Sequence, residues 1–378
     1  MGPLAGLKVV ELVGLAPAPF AATVLADYGA DVVRVDRVKP GFDVPVFPRD
    51  PLSRGRRWIG VDTKSEAGRD IVLRLVDDAD VFVEGYRPGV TERLGLGPDD
   101  CLDRNPRLVY GRITGWGQDG PMAQTAGHDI NYIGLSGALE PIGRAGERPV
   151  PPLNLLGDFG GGGMLLAMGV LAALVERSVS GRGQVVDASM VEGSALLTAG
   201  MHGLLNVGMW GRGRGRNMLD GGAPFYDTYE TSDGQYMAVG AIEERFWGAL
   251  LRVLEIDPAT VAGRLDPEQW PAVRSVLESV IRTRTRDEWA KRAEGTDACL
   301  TPVLSPAEAA THPHNAARGS FVTLDGDTQP APAPRFSRSV PDTPTAPVEP
   351  RSSTSEVLTE LGYSQSDIDR LRTEGVVT

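Results

Sequence analysis

Leu7-Lys8-Val9-Val10-Glu11-Leu12 and Ala30-Asp31-Val32-Val33-Arg34-Val35-Asp36 are two apolar runs of strand length, and between them Phe20 to Tyr28 follows a Pro17-Ala18-Pro19 turn as a helix. Strand, helix and strand within the first forty residues make a β-α-β unit. Its strands run parallel, because such a connection crosses over rather than folding back as a hairpin. The turn after the first strand carries no Gly-x-Gly-x-x-Gly. The usual dinucleotide fingerprint is therefore missing and a Rossmann dehydrogenase is disfavoured, while Rossmann-like topology stays open.

The alternation continues outward. Trp58 to Val61 is a strand, Glu66 to Val76 a helix with apolar Ile71, Val72, Leu75 and Val76, and Val81 to Glu84 and Leu108 to Ile113 are two more strands. Met164 to Arg177 is apolar on nearly every side and reads as a central helix. After a break at Ser178 to Gly183, Gln184 to Ser189 is a last strand and Met190 to about Met209 one long helix. This is an α/β fold, a large Rossmann-like domain around a parallel sheet. Gly211 to Gly222, with Arg212, Arg214 and Arg216 spaced by glycines, marks a loop or boundary. Beyond it Phe225 to Glu230 and Tyr236 to Ala241 flank Ser232-Asp233-Gly234 as a hairpin. Glu244 to Leu254, Trp270 to Ile281 and Asp287 to Ala293 are amphipathic helices, which completes a smaller α+β domain. A proline-rich run from Gln329 to Pro350 is an extended connector, and Ser366 to Glu374 a terminal helix. The expected division is 1–210 for the N-terminal part of the large domain, 211–325 for the small domain, and 326–378 for a connector returning to the large one.

Composition narrows the function. A chain of 378 residues, 41% hydrophobic, can bury a sizeable core. Its net charge of -12 argues against general nucleic-acid binding. Cys101 and Cys299 are the only cysteines and lack metal-ligand or disulfide spacing, which suits a reducing, cytoplasmic setting. The chain moves from Met1 straight into a strand, without a signal-peptide pattern. Its most apolar stretch, Met164 to Val175, is about twelve residues, short for a bilayer, so no membrane partner is expected.

An acidic chain needs a local basic site to hold an anionic ligand. Arg49, Arg54, Arg56 and Arg57 fall within nine residues, with Arg37, Lys39 and Lys64 nearby and Arg87 and Arg93 following the strand that ends at Glu84. The run is either a solvated face balanced by aspartates or a phosphate clamp, since a guanidinium holds phosphate through paired hydrogen bonds. A nucleotide-bearing ligand fits the second reading.

His128 can titrate near neutral pH, and Asp158 stands before the four glycines Gly160 to Gly163. They form a candidate acid/base pair if the fold joins positions thirty residues apart, which no single helix or hairpin can do. Asp158 also reads as an ordinary N-cap. In that place backbone amides and the helix dipole hold it ionised, as a resting base requires, and the N–H groups of Asp158, Gly160 and Gly161 can face a ligand oxyanion. Glu243 ends the strand Val239 to Ile242 and equally opens the next helix. His202 lies in a helix, His312 and His314 flank a proline, and no histidine has the spacing of a metal ligand set. Met164, Met168, Met190, Met201, Met209 and Met218 are core residues or an adaptable apolar surface.

Gly127-His128-Asp129-Ile130-Asn131-Tyr132, the stretch Asn154 to Gly162, Leu219 to Asp227, and Gly240-Ala241-Ile242-Glu243 closely resemble the α-methylacyl-CoA racemases, the mycobacterial type in particular. Leu7 to Leu12, Glu84-Gly85-Tyr86-Arg87-Pro88-Gly89 and Arg93-Leu94-Gly95 resemble the wider family III CoA-transferases. The likeness spans essentially the whole chain. It implies a large domain built from both ends of the chain, a small domain in the middle, and an interlocked homodimer. It implies an acyl-CoA substrate, no metal and no cofactor beyond the coenzyme A of that substrate. It assigns His128 supported by Glu243 as one acid/base and Asp158 supported by Asn154 as the other, with Glu243 from the same or the partner subunit. It carries coenzyme A contacts onto Arg37, Arg87, Arg93 and Tyr132 and onto the segment from Val61 to Lys64, and leaves contacts in 38–51 undefined. The competing reading is a CoA-transferase in which Asp158 is the nucleophile that becomes an aspartyl-CoA thioester. The feature that separates the two is His128, where transferases of that family generally carry another residue, often tyrosine. A CoA-binding protein with a relict site is a third reading, opposed by the joint presence of His128, Asn154, Asp158 and Glu243.

Overall fold

Six of the strands pair into one sheet: β1 (Lys8–Leu12), β2 (Asp31–Asp36), β3 (Arg56–Gly60), β4 (Val81–Glu84), β5 (Val109–Thr114) and β6 (Gln184–Ser189). The computed structural model describes residues 1–39 and 49–378. The sheet order is β3-β2-β1-β4-β5-β6 and every pairing is parallel. Val9 stands beside Val32 on one side and Val81 on the other. Helices cover the sheet, so β4 and β5 are buried throughout, Glu84 and Arg112 included, and neither shows the strict apolar–polar alternation of a half-exposed strand. Chain direction across the sheet reverses between β1 and β4, and the loops leaving their carboxyl ends diverge there, which opens a crevice at that edge.

The helices follow local chemistry. Pro17–Asp27 begins on proline, whose missing N–H costs nothing in a first turn, and buries Ala18, Ala21, Ala22 and Leu25. Ser65 caps Glu66–Asp77 through the Gly68 amide. Two C-terminal helices, Thr354–Glu360 and Gln365–Thr373, close over β3. Thr354 accepts the Gly60 N–H at 3.1 Å, the Asp62 N–H donates to the Val376 carbonyl at 2.8 Å, and Val357, Leu358, Ile368 and Leu371 join Ile59 and Ile71 in the core.

Contacts divide the chain into two units, Met1–Ser136 with Leu153–Leu197 and Ala316–Thr378, and Gly137–Pro152 with Thr198–Asn315. The division therefore falls at Leu197 and not at residue 210, and 316–325 belongs to the first unit. Ion pairs give the reason for the extra segment: Arg144 holds Asp227 at 2.6 Å and Arg214 holds Glu140 at 3.0 Å, which ties 137–152 into the second unit. The glycine- and arginine-spaced loop is thus interior to that unit rather than its border. In the second unit β7 (Asp227–Glu230), β8 (Tyr236–Val239) and β9 (Leu300–Pro302) form an antiparallel sheet packed by Trp247, Leu250, Val273, Leu277 and Trp289. It is the α+β unit read from the sequence.

Two helices differ from expectation. The long helix over Met190 to Met209 is two, Met190–Leu197 and Ala199–Asn206, parted at Thr198 where the units divide. The apolar helix Leu165–Ser180 continues a π-helical stretch, Leu155–Met164, giving 26 helical residues, long and apolar enough by length and composition to cross a membrane. The apolar helix is thus not limited to about twelve residues, and its length does not exclude a membrane. The helix is also not buried all round: Leu166, Ala167, Val170 and Ala173 are in the core, while Met168, Val175 and Val179 are 58%, 70% and 89% exposed. The sheet covers only one of its sides.

Candidate active site

The loops leaving β1, β2, β4 and β5 surround a cavity of about 340 Å³ at the crevice. Asp158 enters it from the π-helical stretch and His128 from the start of the Asp129–Leu135 helix, so the fold brings the two to one cavity. His128 is the N-cap of its helix. Its N–H donates to Asn131 Oδ1 at 3.0 Å and its carbonyl accepts the Asn131 N–H at 2.8 Å, which fixes the backbone and leaves the exposed imidazole free to meet a ligand. Tyr132 supports the same turn from below, its buried hydroxyl donating to the Gly127 carbonyl and its ring edge-on to Trp116 at 4.8 Å. It lines the cavity, but its hydroxyl is spent within the protein.

Asp158 is half-buried and is not an N-cap. The preceding cap position is Asn154, whose side-chain amide donates to Asp158 Oδ2 at 3.1 Å. The backbone N–H of Asp158 donates to Asp129 Oδ1 at 2.7 Å. Burial pushes its carboxyl above the usual range and the Asp129 charge adds to this, while the Asn154 hydrogen bond and His128 oppose it. The expectation that helix amides hold Asp158 low is overturned: burial raises its carboxyl, and the hydrogen bond it accepts comes from the Asn154 side chain, with no backbone amide donating to it among the described residues. The oxyanion role for the amides of Asp158, Gly160 and Gly161 also fails. The first is taken by Asp129, and the glycines lie within the π turns, where they serve packing. A Cβ on Gly161 would stand 2.6 Å from the Ser194 nitrogen, so this residue must be glycine for the two helices to touch.

The basic residues separate into two classes. Arg54 is buried and grips Asp27 with Nε at 3.0 Å and Nη2 at 2.6 Å. Arg56 is buried against Glu11, which also holds Arg34 at 3.3 Å. Arg57 pairs with Asp31 and Glu360, and Arg49 with Asp327. That part of the cluster is structural, not a phosphate clamp. Arg37 and Arg87 are exposed and line the cavity. Glu84, buried at the end of β4, accepts the Tyr86 N–H at 2.7 Å and so holds the loop carrying Arg87. Burial pushes the Glu84 carboxyl up to about 7 against the pull of Arg112 at 3.0 Å. Val61, Lys64 and Arg93 do not line the cavity. Val61 is fully buried in the core, and Lys64 is exposed beyond β3 on the same carboxyl edge of the sheet. Of the stretch 38–51, residues 40–48 lie outside the described residues.

Glu243 belongs to the second unit, where it caps Glu244–Leu254 through its carbonyl and keeps its side chain exposed. That unit holds a hollow of about 750 Å³ lined by Arg144, Arg212, Arg216 and Arg274. Its buried carboxylate, Asp227, is bound on both sides by Arg144 and Arg274. Asp129 and Trp116 escaped the sequence reading. Asp129 was legible only as the residue after His128, and nothing in its spacing marks a bond to position 158.

The cavity thus offers a histidine and a carboxylate of raised proton affinity, with two exposed arginines in its lining. Comparison with known proteins agrees. Alpha-methylacyl-CoA racemase of Mus musculus is 47% identical over 378 residues, covering 99% of this chain and 97% of the relative. The Homo sapiens racemase is 45% identical over 377 residues, with 99% and 97% covered. The crystal structure of a CAIB/BAIF family protein from Brucella suis superposes with a TM-score of 0.81 at 26% identity, covering 95% of this chain and 99% of that one. The model of CoA-transferase family III matches residues 4–352, and the chain belongs to that family.

Proposed function

We propose that this chain is an isomerase that epimerises the α-carbon of 2-methylacyl-CoA thioesters by 1,1-proton transfer through an enolate. The observation that carries the reading is that His128 and Asp158 line one cavity, in a chain 45–47% identical over nearly its full length to racemases. The α-hydrogen of a thioester is weakly acidic, so one group must remove it while another, of opposite protonation state, returns a proton on the other face. His128 and Asp158 take these parts, and exchanging their protonation states runs the reaction backwards. Asn154 orients Asp158. Glu243, from the same or the partner subunit, supports His128. Arg37, Arg87 and Arg93 are assigned the coenzyme A phosphates, and the segment from Val61 to Lys64 its adenine end, with exposed Lys64 and not the buried Val61 side chain offering the contact. Both proton transfers are assigned to protein groups, so the proposal includes no cofactor besides the coenzyme A of the substrate.

A homodimer is part of the reading. Met164, Met168, Val175 and Val179 make an exposed apolar stripe along one helix, with exposed Leu196 and Leu197 nearby in sequence to the same sheet, and a second copy would cover such a face. The free thiols Cys101 and Cys299 fit a cytoplasmic setting.

Incubation with a 2-methylacyl-CoA in D2O, without acceptor acid, tests the function. Deuterium enters the α-position if the chain is a racemase. Its failure to enter, with coenzyme A moving only when an acid is added, favours the transferase reading with Asp158 as nucleophile. His128→Ala and Asp158→Ala each lose most of the exchange and keep coenzyme A binding; wild-type exchange in either variant refutes the assignment.

A further inference from the structure

Asp129 has no part in the scheme above, yet it is joined to both of its ends. It follows His128 directly in the chain, and its Oδ1 accepts the Asp158 N–H at 2.7 Å. Its residue is 7% exposed, and its Oδ2 is buried without a hydrogen-bond partner among the described residues. Leaving a carboxylate oxygen buried and unpaired costs free energy, and a tie to one amide does not require it, because a neutral side chain would accept the same N–H more cheaply. The approach is close: a Cβ on Gly157 would stand 2.4 Å from Oδ1. Glycine there lets the two segments meet.

We propose, on the basis of the racemase reading, that Asp129 is a positioning residue that sets the placement of Asp158 relative to His128 and uses its charge to keep Asp158 able both to take and to give a proton. Burial is the first cause of the raised Asp158 carboxyl and the Asp129 charge reinforces it; Asn154 and His128 pull the other way. The remaining charged or titratable groups around the π turn are accounted for. Tyr132 stands on the Asp129–Leu135 helix with its hydroxyl on Gly127, and Glu192 on the Met190–Leu197 helix accepts from Ser189 at 2.7 Å. Arg37 and Arg87 lie on the cavity wall. Asp129 is the neighbour among these that both contacts the Asp158 backbone and raises its carboxyl.

The test is the pH profile of α-deuterium incorporation for wild type, Asp129→Asn and Asp129→Ser. Both variants keep an acceptor for the Asp158 N–H and remove the charge. Asp158 then ionises more readily, so the acid limb of kcat moves to lower pH in both, with KM unchanged. Asp129→Ala, which also frees the amide, loses about a hundredfold in kcat. An acid limb that stays at the wild-type pH in a variant with native circular dichroism overturns the proposal. If neither variant folds, carboxyl 13C NMR of the intact wild type decides: Asp158 titrating above the ordinary carboxylate range and in two steps coupled to a second carboxylate supports it, and one step in the ordinary range refutes it. Failure of the racemase reading is separate, because wild type would then incorporate no deuterium.

Discussion

Two groups of arginines lie near each other in the first unit and have opposite fates. Arg54 and Arg56 flank the start of β3, fully enclosed, each against a buried carboxylate. Arg37 and Arg87 follow β2 and β4 and stand exposed at the cavity. The residue type is the same and so is the charge. What differs is which end of a strand each occupies: the amino ends and strand interiors run into the packed body, while the carboxyl ends open on the crevice. A buried guanidinium needs a carboxylate beside it to exist at all, whereas an exposed one in a cavity lining stays within reach of a ligand.

Removing members of each group sharpens or breaks this contrast. Arg56→Ala leaves buried Glu11 with only its longer contact to Arg34 and should cost about 3 kcal/mol in urea-induced unfolding. Replacing Arg34, Glu11 and Arg56 together by apolar residues of similar volume should recover most of that loss, since the buried triad itself is worth little over good packing. Arg87→Ala should raise KM for an acyl-CoA about tenfold, roughly 1.4 kcal/mol, with kcat and thermal midpoint unchanged. Adding salt should raise the wild-type KM and flatten this difference, because the rim charges are screened. Arg57→Ala, which breaks a half-exposed pair with Asp31 and Glu360, should cost less than about 1 kcal/mol and leave KM alone. A KM effect from Arg54→Ala without loss of stability would dissolve the distinction between the groups.

The sheet was legible because its strands are short runs centred on apolar pairs such as Val9-Val10 and Val32-Val33 and set apart by helical stretches, and the α+β unit because its hairpin turn is marked by Asp233-Gly234. Placement of side chains was less so. Arg54 and Arg56 looked like ligand-binding cations because sequence clusters charges without saying which Asp or Glu, here Asp27 and Glu11, will fold against them. His128 and Asp158 were found through their chemistry and the family pattern, and the cavity unites them as that pattern implied. The surroundings of Asp158 were misread: a glycine run suggests a helix start with open amides, yet it winds into π turns whose glycines allow helices to approach closely. The break at Thr198 has no proline or glycine to announce it and follows from the change of packing partner between units.

The closure of β3 by residues 354–377 has a consequence for how the molecule is made. β3 emerges early in synthesis, but its buried edge waits for Thr354 and Val376, nearly three hundred residues later. During that interval the chain produces the whole second unit, which has its own core and can fold as an insertion while the first half stays open. Until those residues arrive the nascent first unit exposes an apolar edge at β3.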